Sequence, residues 1–352
     1  MSDPDVPPYD AVLLLSFGGP EGPDDVMPFL ENVTRGRGVP RQRLEEVAEQ
    51  YRRFGGVSPI NAQNRALLAA LEAELAAHGP QLPVYWGNRN WHPFLTDSVA
   101  RMADDGVRHA IAVVTSAYSS YSGCRQYRED IERARAAVGD RAPLIDKARA
   151  YWNHPGFIGP FRRSTAAALA QVPVERRDRA RIVFTAHSLP SAMAATSDYE
   201  VQLRDAAALV ADEIAPGAPW DLVWQSRSGP PQVPWLEPDV NDHLRALAAD
   251  GVDTVVLVPV GFVSDHQEVV FDLDTQAADT ADELGILLVR AATPGTDPEF
   301  VAGLRELVAE RTGAVATRRT LGVLGPRADV CPADCCPPPA RPPAGPGGAG
   351  RR

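Results

Sequence analysis

The chain writes one α/β pattern twice, and that repetition limits its fold more than any other feature. LLLSFGGP (13–20) mirrors VFTAHSLP (183–190), VYWGNRN (84–90) resembles LVWQSRS (222–228), and DDGVRHAIAVV (104–114) matches ADGVDTVVLVP (249–259). A pattern that recurs in the same order folds twice in the same way. Within each copy, short apolar runs alternate with segments carrying apolar residues at helical spacing, the signature of strand–helix–strand units in a parallel sheet. Strands are expected at 11–16, 84–87, 110–115, 181–185, 222–225 and 254–260, and helices at 64–77 and 198–214. The expected class is α/β: two similar Rossmann-like domains, 10–155 and 156–315, each a parallel sheet flanked by helices, facing one another across a cleft. Residues 316–336 then form a cysteine-bearing extension. The last stretch, 337–352, reads PPPARPPAGPGGAGRR and is expected to be a disordered tail, because so much Pro and Gly leaves nothing to bury.

Composition removes several functions. A length of 352 residues with 44% hydrophobic content suffices for two cores. The formal charge of −11 argues against nucleic acid as a partner, so an anionic substrate needs a local cluster of arginines. Lys147 is the only lysine. A phosphate loop ending in Gly-Lys-Ser/Thr is therefore excluded, and Schiff-base chemistry has no candidate in a catalytic context. The opening MSDPDVPPYD carries neither a basic nor an apolar targeting region, and the longest apolar run, 254–263, is about half the ~20 residues of a membrane span. A cytoplasmic chain without a transmembrane segment is expected.

Two residues sit where strands should end: His187 in TAHSLP and Glu268 in FVSDHQEVVFDLD. Ligands of open α/β sheets gather at the carboxyl ends of strands. An imidazole and a carboxylate delivered there can hold a divalent metal or move protons. Glu268 begins a row with Asp272 and Gln276 at four-residue spacing, which stays near one face of a helix and nearer still if the helix is π-widened. A lone strand-end histidine is more often structural, and carboxylates four apart are usually a solvated face. Here the repeat sets Phe17 opposite His187, so the copies differ where an imidazole would matter, and the acidic row follows an apolar strand directly. His266, beside Asp265, ranks behind His187 as a ligand.

The segments SFGGP, RFGGVSPINAQ, YWGNRN, SAYSSYSGCRQY, AHSLP, WQSRSGPPQVPWLEPDV and PVGFVSDHQEVVFDLD, in this order, resemble the ferrochelatases over nearly the whole span 11–312. The resemblance implies chelatase-type domains and insertion of Fe2+, as substrate, into a tetrapyrrole. Such insertion releases two pyrrole protons, so the site needs a metal ligand, a proton acceptor and a rigid cleft that bends the ring. His187 and Glu268 are the implied catalytic and iron-binding residues, with Asp272 and Gln276 as a relay. The family usually has a glutamate where this chain has Gln276, and an amide accepts no proton. Some relatives place a tyrosine ligand where this chain has Phe17. The resemblance also points to Ser58, Tyr127 and Tyr51 near the ring or its propionates, with Arg35 and Arg37 basic enough to meet carboxylates. Similarity to the actinobacterial branch implies coproporphyrin III as porphyrin substrate, Fe-coproporphyrin III as product in haem biosynthesis, and transient contact with neighbouring enzymes of that pathway.

Cys331, Cys335 and Cys336 fall within six residues, and Cys124 lies over two hundred residues earlier. A cytoplasmic chain disfavours disulfides, and on spacing alone a four-cysteine zinc site is the expected occupant. The resemblance instead implies a 2Fe-2S cluster, with one ligand from the body and three from the extension. Unligated thiols remain a third reading. Three other functions stay open: a protoporphyrin IX ferrochelatase; a cobalt or nickel chelatase, for which seven scattered histidines are few; and a non-catalytic two-lobed haem or iron binder.

Overall fold

The computed structural model describes residues 7–229 and 231–338. The first half runs β1 (Ala11–Ser16), α1 (Val26–Val33), α2 (Arg41–Arg52), α3 (Ile60–His78), β2 (Val84–Asn88), α4 (Leu95–Asp104), β3 (His109–Val114), α5 (Gln126–Val138) and β4 (Leu144–Lys147). The chain continues through α6 (Pro155–Gln171), α7 (Val174–Arg177), β5 (Arg181–His187), α8 (Ser191–Ala194), α9 (Tyr199–Ile214), β6 (Trp220–Gln225) and α10 (Val240–Ala249). It closes with β7 (Thr254–Val258), α11 (Gln267–Phe271), α12 (Ala278–Leu284), β8 (Leu287–Arg290) and α13 (Pro298–Thr312). Two four-stranded parallel sheets result, in the matching orders β2-β1-β3-β4 and β6-β5-β7-β8.

Central strands are apolar throughout because both faces are covered. On β1, Val12 and Leu14 face one core while Ala11, Leu13 and Leu15 face another. On β5, Ile182, Phe184 and Ala186 join Val12 and Leu14 in a core shared by both halves, and Val183 turns to the outer core of the second. The halves also exchange helices: α6 leaves the first sheet and packs on α9, β7 and β8, while α13 leaves the second and packs on α3 and β3. Polar side chains bridge the seam. Tyr118 donates its hydroxyl to Val260 O at 2.8 Å, and Gln202 and Ser119 bond reciprocally. Arg149 and Glu310, almost wholly buried, form a two-pronged pair at 2.7 and 2.9 Å.

The registers correct one expected alignment. Val12 pairs with Val84 and Ile182 with Trp220, while Ala11 pairs with Ala110 and Arg181 with Val255. The central strands thus match as expected, with Phe17 equivalent to His187. Val84 is equivalent to Trp220, however, and the matched motifs 84–90 and 222–228 are slipped by two residues. The turns agree: Asn88 N donates to Pro93 O and Trp224 N to Pro238 O, just ahead of α4 and α10. Two Trp residues attracted the sequence match to the wrong pair.

Edge strands β4 and β8 were not expected, since each has only four residues with a charged end. Strand β7 stops at Val258 because Pro259 offers no N–H to the ladder. Strand β5 runs two residues further than expected, to His187. The first half alone carries a helical hairpin, α1–α2, with its own core of Phe29, Leu30, Leu44 and Tyr51. The extension docks at the junction, where Leu321 N donates to Asn153 O and Asn153 Nδ2 to Gly325 O. Residues 339–352, most of the expected tail, lie outside the described residues. Among the described residues no helix is long and apolar enough to cross a membrane.

Candidate active site

Neighbouring parallel strands β5 and β7 break off toward the same edge, and the residues that follow meet there. His187 ends β5, and its carbonyl accepts the Tyr199 hydroxyl at 3.0 Å. Its Nδ1–H donates to Ser188 O at 2.5 Å, which fixes the tautomer and turns Nε2 outward. Nε2 lies 3.4 Å from Glu268 Oε2. Glu268 stands in the first turn of α11, whose N-terminus is capped by His266: Nδ1 accepts from Glu268 N and Val269 N. His266 thus holds, through Nδ1, the first turn of the helix that carries the carboxylate.

Burial works against charge on both partners, yet each is overruled by the other. The Glu268 carboxylate raises His187 above its usual range, and the imidazole holds Glu268 down at about 2. The resting state is therefore an imidazolium–carboxylate pair, partly open to solvent on the Glu268 side. Asp272 shifts the other way: burial, then the charge of Glu268, lifts it to about 6, against the hydrogen bonds it accepts from Ser226 and Gln225. Ser226 sits at φ +61°, a left-handed conformation costly for a side-chain-bearing residue, and that bend aims its hydroxyl at Asp272. Neither Ser226 nor Gln225 was singled out from the sequence; the only signal was their place in WQSRSG, a motif without an obvious charge role. From Asp272 to Ala277 the helix is π-wound, as the four-residue spacing favours, and Gln276 stands exposed near its end.

The first half closes on this group. Tyr51, on α2, is buried, and the field of Glu268 adds to burial in pushing its hydroxyl up. Phe54 meets Phe271 edge-on at 6.4 Å, and Gln63 Oε1 accepts from Asp265 N at 2.9 Å. Phe17 follows β1 at the matching strand end, 37% exposed, and offers a ring where the second half offers an imidazole. Arg35 and Arg37 lie in the exposed turn of the α1–α2 hairpin and make no ion pair among the described residues. Two expected substrate residues are not brought to this surface. Ser58 is buried against Gly19, where a Cβ would come within 2.9 Å of its hydroxyl. Tyr127 is buried in the first-half core, its face covered by Arg89 at 3.6 Å.

The four cysteines gather at a second place, between a π-turn at Tyr121–Arg125 and the extension. Cys335 and Cys336 have Sγ atoms 3.6 Å apart, and Cys336 takes φ +50°, a sharp local turn. Burial, and then the neighbouring thiols including Cys124, push Cys331 up and Cys336 to about 12. Arg327 donates to Cys335 Sγ at 3.8 Å. Among the described residues, no three His, Cys, Asp or Glu side chains already stand in ligand geometry for a metal ion.

Residues 9–312 match the family model described as Ferrochelatase. The chain is 58% identical over 348 residues to the coproporphyrin III ferrochelatase of Nocardia farcinica, covering 95% of this chain and 98% of that one. It is 53% identical over 364 residues to the coproporphyrin III ferrochelatase of Streptomyces coelicolor, covering 97% of each. A Rhodopirellula baltica protein named ferrochelatase is 54% identical, covering 94% of each. Among solved structures, SirB from Bacillus subtilis with Fe3+ superposes with a TM-score of 0.53 at 13% identity, covering 86% of this chain and 96% of that one, a likeness of fold.

An acid whose folded value is raised holds its proton more tightly in the folded state, so its contribution to stability is present below pH ~4 and lost as pH rises through about 6. Urea midpoints of the wild type should therefore fall, relative to Asp272→Asn, between those two values, and level off above them. Parallel curves across that window would show that Asp272 titrates in its ordinary range.

Proposed function

Because the chain belongs to the ferrochelatase family, we propose that it inserts Fe2+ into coproporphyrin III to give Fe-coproporphyrin III in haem biosynthesis. The single observation that carries the site assignment is the His187 Nε2–Glu268 Oε2 contact of 3.4 Å at the strand ends. An arriving dication favours the neutral imidazole and the carboxylate, both of which are good ligands, so the proton shared by the pair must leave. Asp272, poised at about 6, is matched to accept it near neutrality. The metal then exchanges these ligands for the ring nitrogens. The two pyrrole protons pass to Glu268, vacated by the metal, and outward by Asp272. Gln276 cannot extend this relay by titrating, and its exposed amide can only hydrogen-bond to solvent.

Coproporphyrin III as substrate is supported by the names of the Nocardia and Streptomyces relatives. Four propionates rather than two suit the free guanidinium groups of Arg35 and Arg37 at the hairpin turn. Phe17, exposed at its strand end, supplies ring contact, whereas Ser58, Tyr127 and Tyr51, all buried, act by shaping the walls around the cleft. Hand-over of the iron-bearing product to neighbouring pathway enzymes fits the same reading.

Cys124, Cys331, Cys335 and Cys336 are read as holding a 2Fe-2S cluster. Their mutual proximity and the bend at Cys336 suit four thiolate ligands, and metal binding would displace the protons that burial now favours. The cluster would tie the extension to the body. Anaerobically purified protein should contain iron and acid-labile sulfide in equal amounts, and Cys335→Ser should lose both together with some thermal stability. Zinc in their place would make this a four-cysteine zinc site.

His187→Ala should lower iron insertion by at least about a thousandfold while porphyrin affinity stays within about tenfold, because ring contacts are spread over the cleft. Glu268→Gln should likewise reduce kcat far more than binding. Retention of most activity by either variant would sink the assignment.

Specificity constants for coproporphyrin III should exceed those for protoporphyrin IX, and Arg35→Gln/Arg37→Gln should narrow the gap. Equal constants in the wild type would refute the substrate proposal.

A further inference from the structure

Helix α11 and the π-wound stretch after it are braced from both edge strands of the second sheet, whose order is β6-β5-β7-β8. On the β6 side, Ser226 and Gln225 donate to Asp272. On the β8 side stands Arg290, the last residue of that strand, paired in the ladder with Leu257 of β7. Its guanidinium spends all three nitrogens on two carboxylates. Nη1 and Nη2 each donate to Asp265 at 3.2 Å, while Nε and Nη2 donate to Asp274 at 2.5 and 3.0 Å. The two acids bracket Glu268. Asp265 immediately precedes the His266 cap of α11, and Asp274 lies within the π-wound Asp272–Ala277. Asp265 is tied further by Thr293 Oγ1 at 3.2 Å and, through its N–H, by Gln63 of the first half. Asp272 and Asp274, two residues apart, point to roughly opposite sides of the helix, one toward each edge strand.

Resting on the assignment of His187 and Glu268 above, we propose that Arg290 is a positioning residue for iron insertion: its two-sided fork holds the segment from Asp265 to Asp274 in place, which keeps Glu268 facing His187 and Asp272 facing Ser226. A π turn is a rare winding, and a return to α winding would rotate the residues on one side of it relative to those on the other. The rigid, planar fork opposes that rotation, because it fixes how far apart the two carboxylates stand. A lysine keeps the charge but has no such fork. Arg290 makes no hydrogen bond or ion pair with His187 or Glu268 themselves, so it acts through the helix. Its loss therefore falls on the chemical step, and the porphyrin contacts, spread over the cleft, are left as they were.

Steady-state kinetics of the full chain, at equal concentrations of folded protein, test this. Arg290→Lys, Arg290→Gln and Asp274→Asn should each lower kcat about tenfold or more, the effect of losing charged hydrogen bonds, with KM for the porphyrin within about threefold of wild type. Arg290→Lys/Asp274→Asn should be no slower than the slower single variant, because the two residues act as one unit. Arg163 supplies the control, since it joins Asp297 and Glu299 at the start of α13 in a similar two-acid clamp away from the site. Arg163→Gln should lose some thermal stability and keep its kcat. An equal fall of kcat in Arg163→Gln, a rise in KM in place of the fall in kcat, or additive losses in the double variant would overturn the proposal. Wild-type turnover in Arg290→Gln beside an inactive His187→Ala would overturn it alone, whereas an active His187→Ala would remove the site assignment beneath it.

Discussion

The contact between His187 and Glu268 depends on two adjacent parallel strands ending together. Strands β5 and β7 are hydrogen-bonded neighbours, and each leaves the second sheet on the same side. His187 comes from the strand itself, paired with Gln225 in the ladder, and Glu268 from the first turn of the helix that follows β7. The local devices reinforce this. Ser188 O fixes the imidazole tautomer, Tyr199 ties the His187 carbonyl, and His266 caps the helix that carries Glu268. A charged pair held so rigidly near water is a poor source of stability, but it is a good station for a divalent metal.

The two halves show how a duplicated fold divides labour. Both present a strand end at equivalent positions, but the first has Phe17 where the second has His187. The first half adds instead the α1–α2 hairpin, which brings Tyr51 to Glu268 and holds Arg35 and Arg37 at its turn. The imidazole–carboxylate pair stands on one side, and Phe17 with the hairpin on the other. The exchange of α6 and α13 between sheets, and the shared core they seal, keep the two sides in fixed relation.

Much of this was legible because the physics was local. Strands buried on both faces read as continuous apolar runs, so β1, β3, β5 and β7 stand out in the sequence. His187, Glu268 and the π-wound stretch after them follow from their position and spacing. What was not legible depends on tertiary context. Edge strands β4 and β8 are too short and polar to show a period. The two-residue slip between the β2 and β6 motifs becomes visible only in strand register, because both motifs carry a Trp. Ser226 acts through a backbone bend that no residue type announces. Family resemblance named Ser58, Tyr127 and Tyr51, and all three side chains are buried in the fold.

The central claim is that one imidazole and one carboxylate hold the incoming metal together. X-ray absorption at the zinc edge, on porphyrin-free protein loaded with one Zn2+ in excess of any tightly bound metal, reads that first shell directly. The account predicts one imidazole nitrogen with carboxylate and water oxygens at about 2.0–2.2 Å. That nitrogen should vanish in His187→Ala, and an oxygen should be lost in Glu268→Gln. A shell unchanged by both substitutions, or one made of sulfur alone, would contradict it.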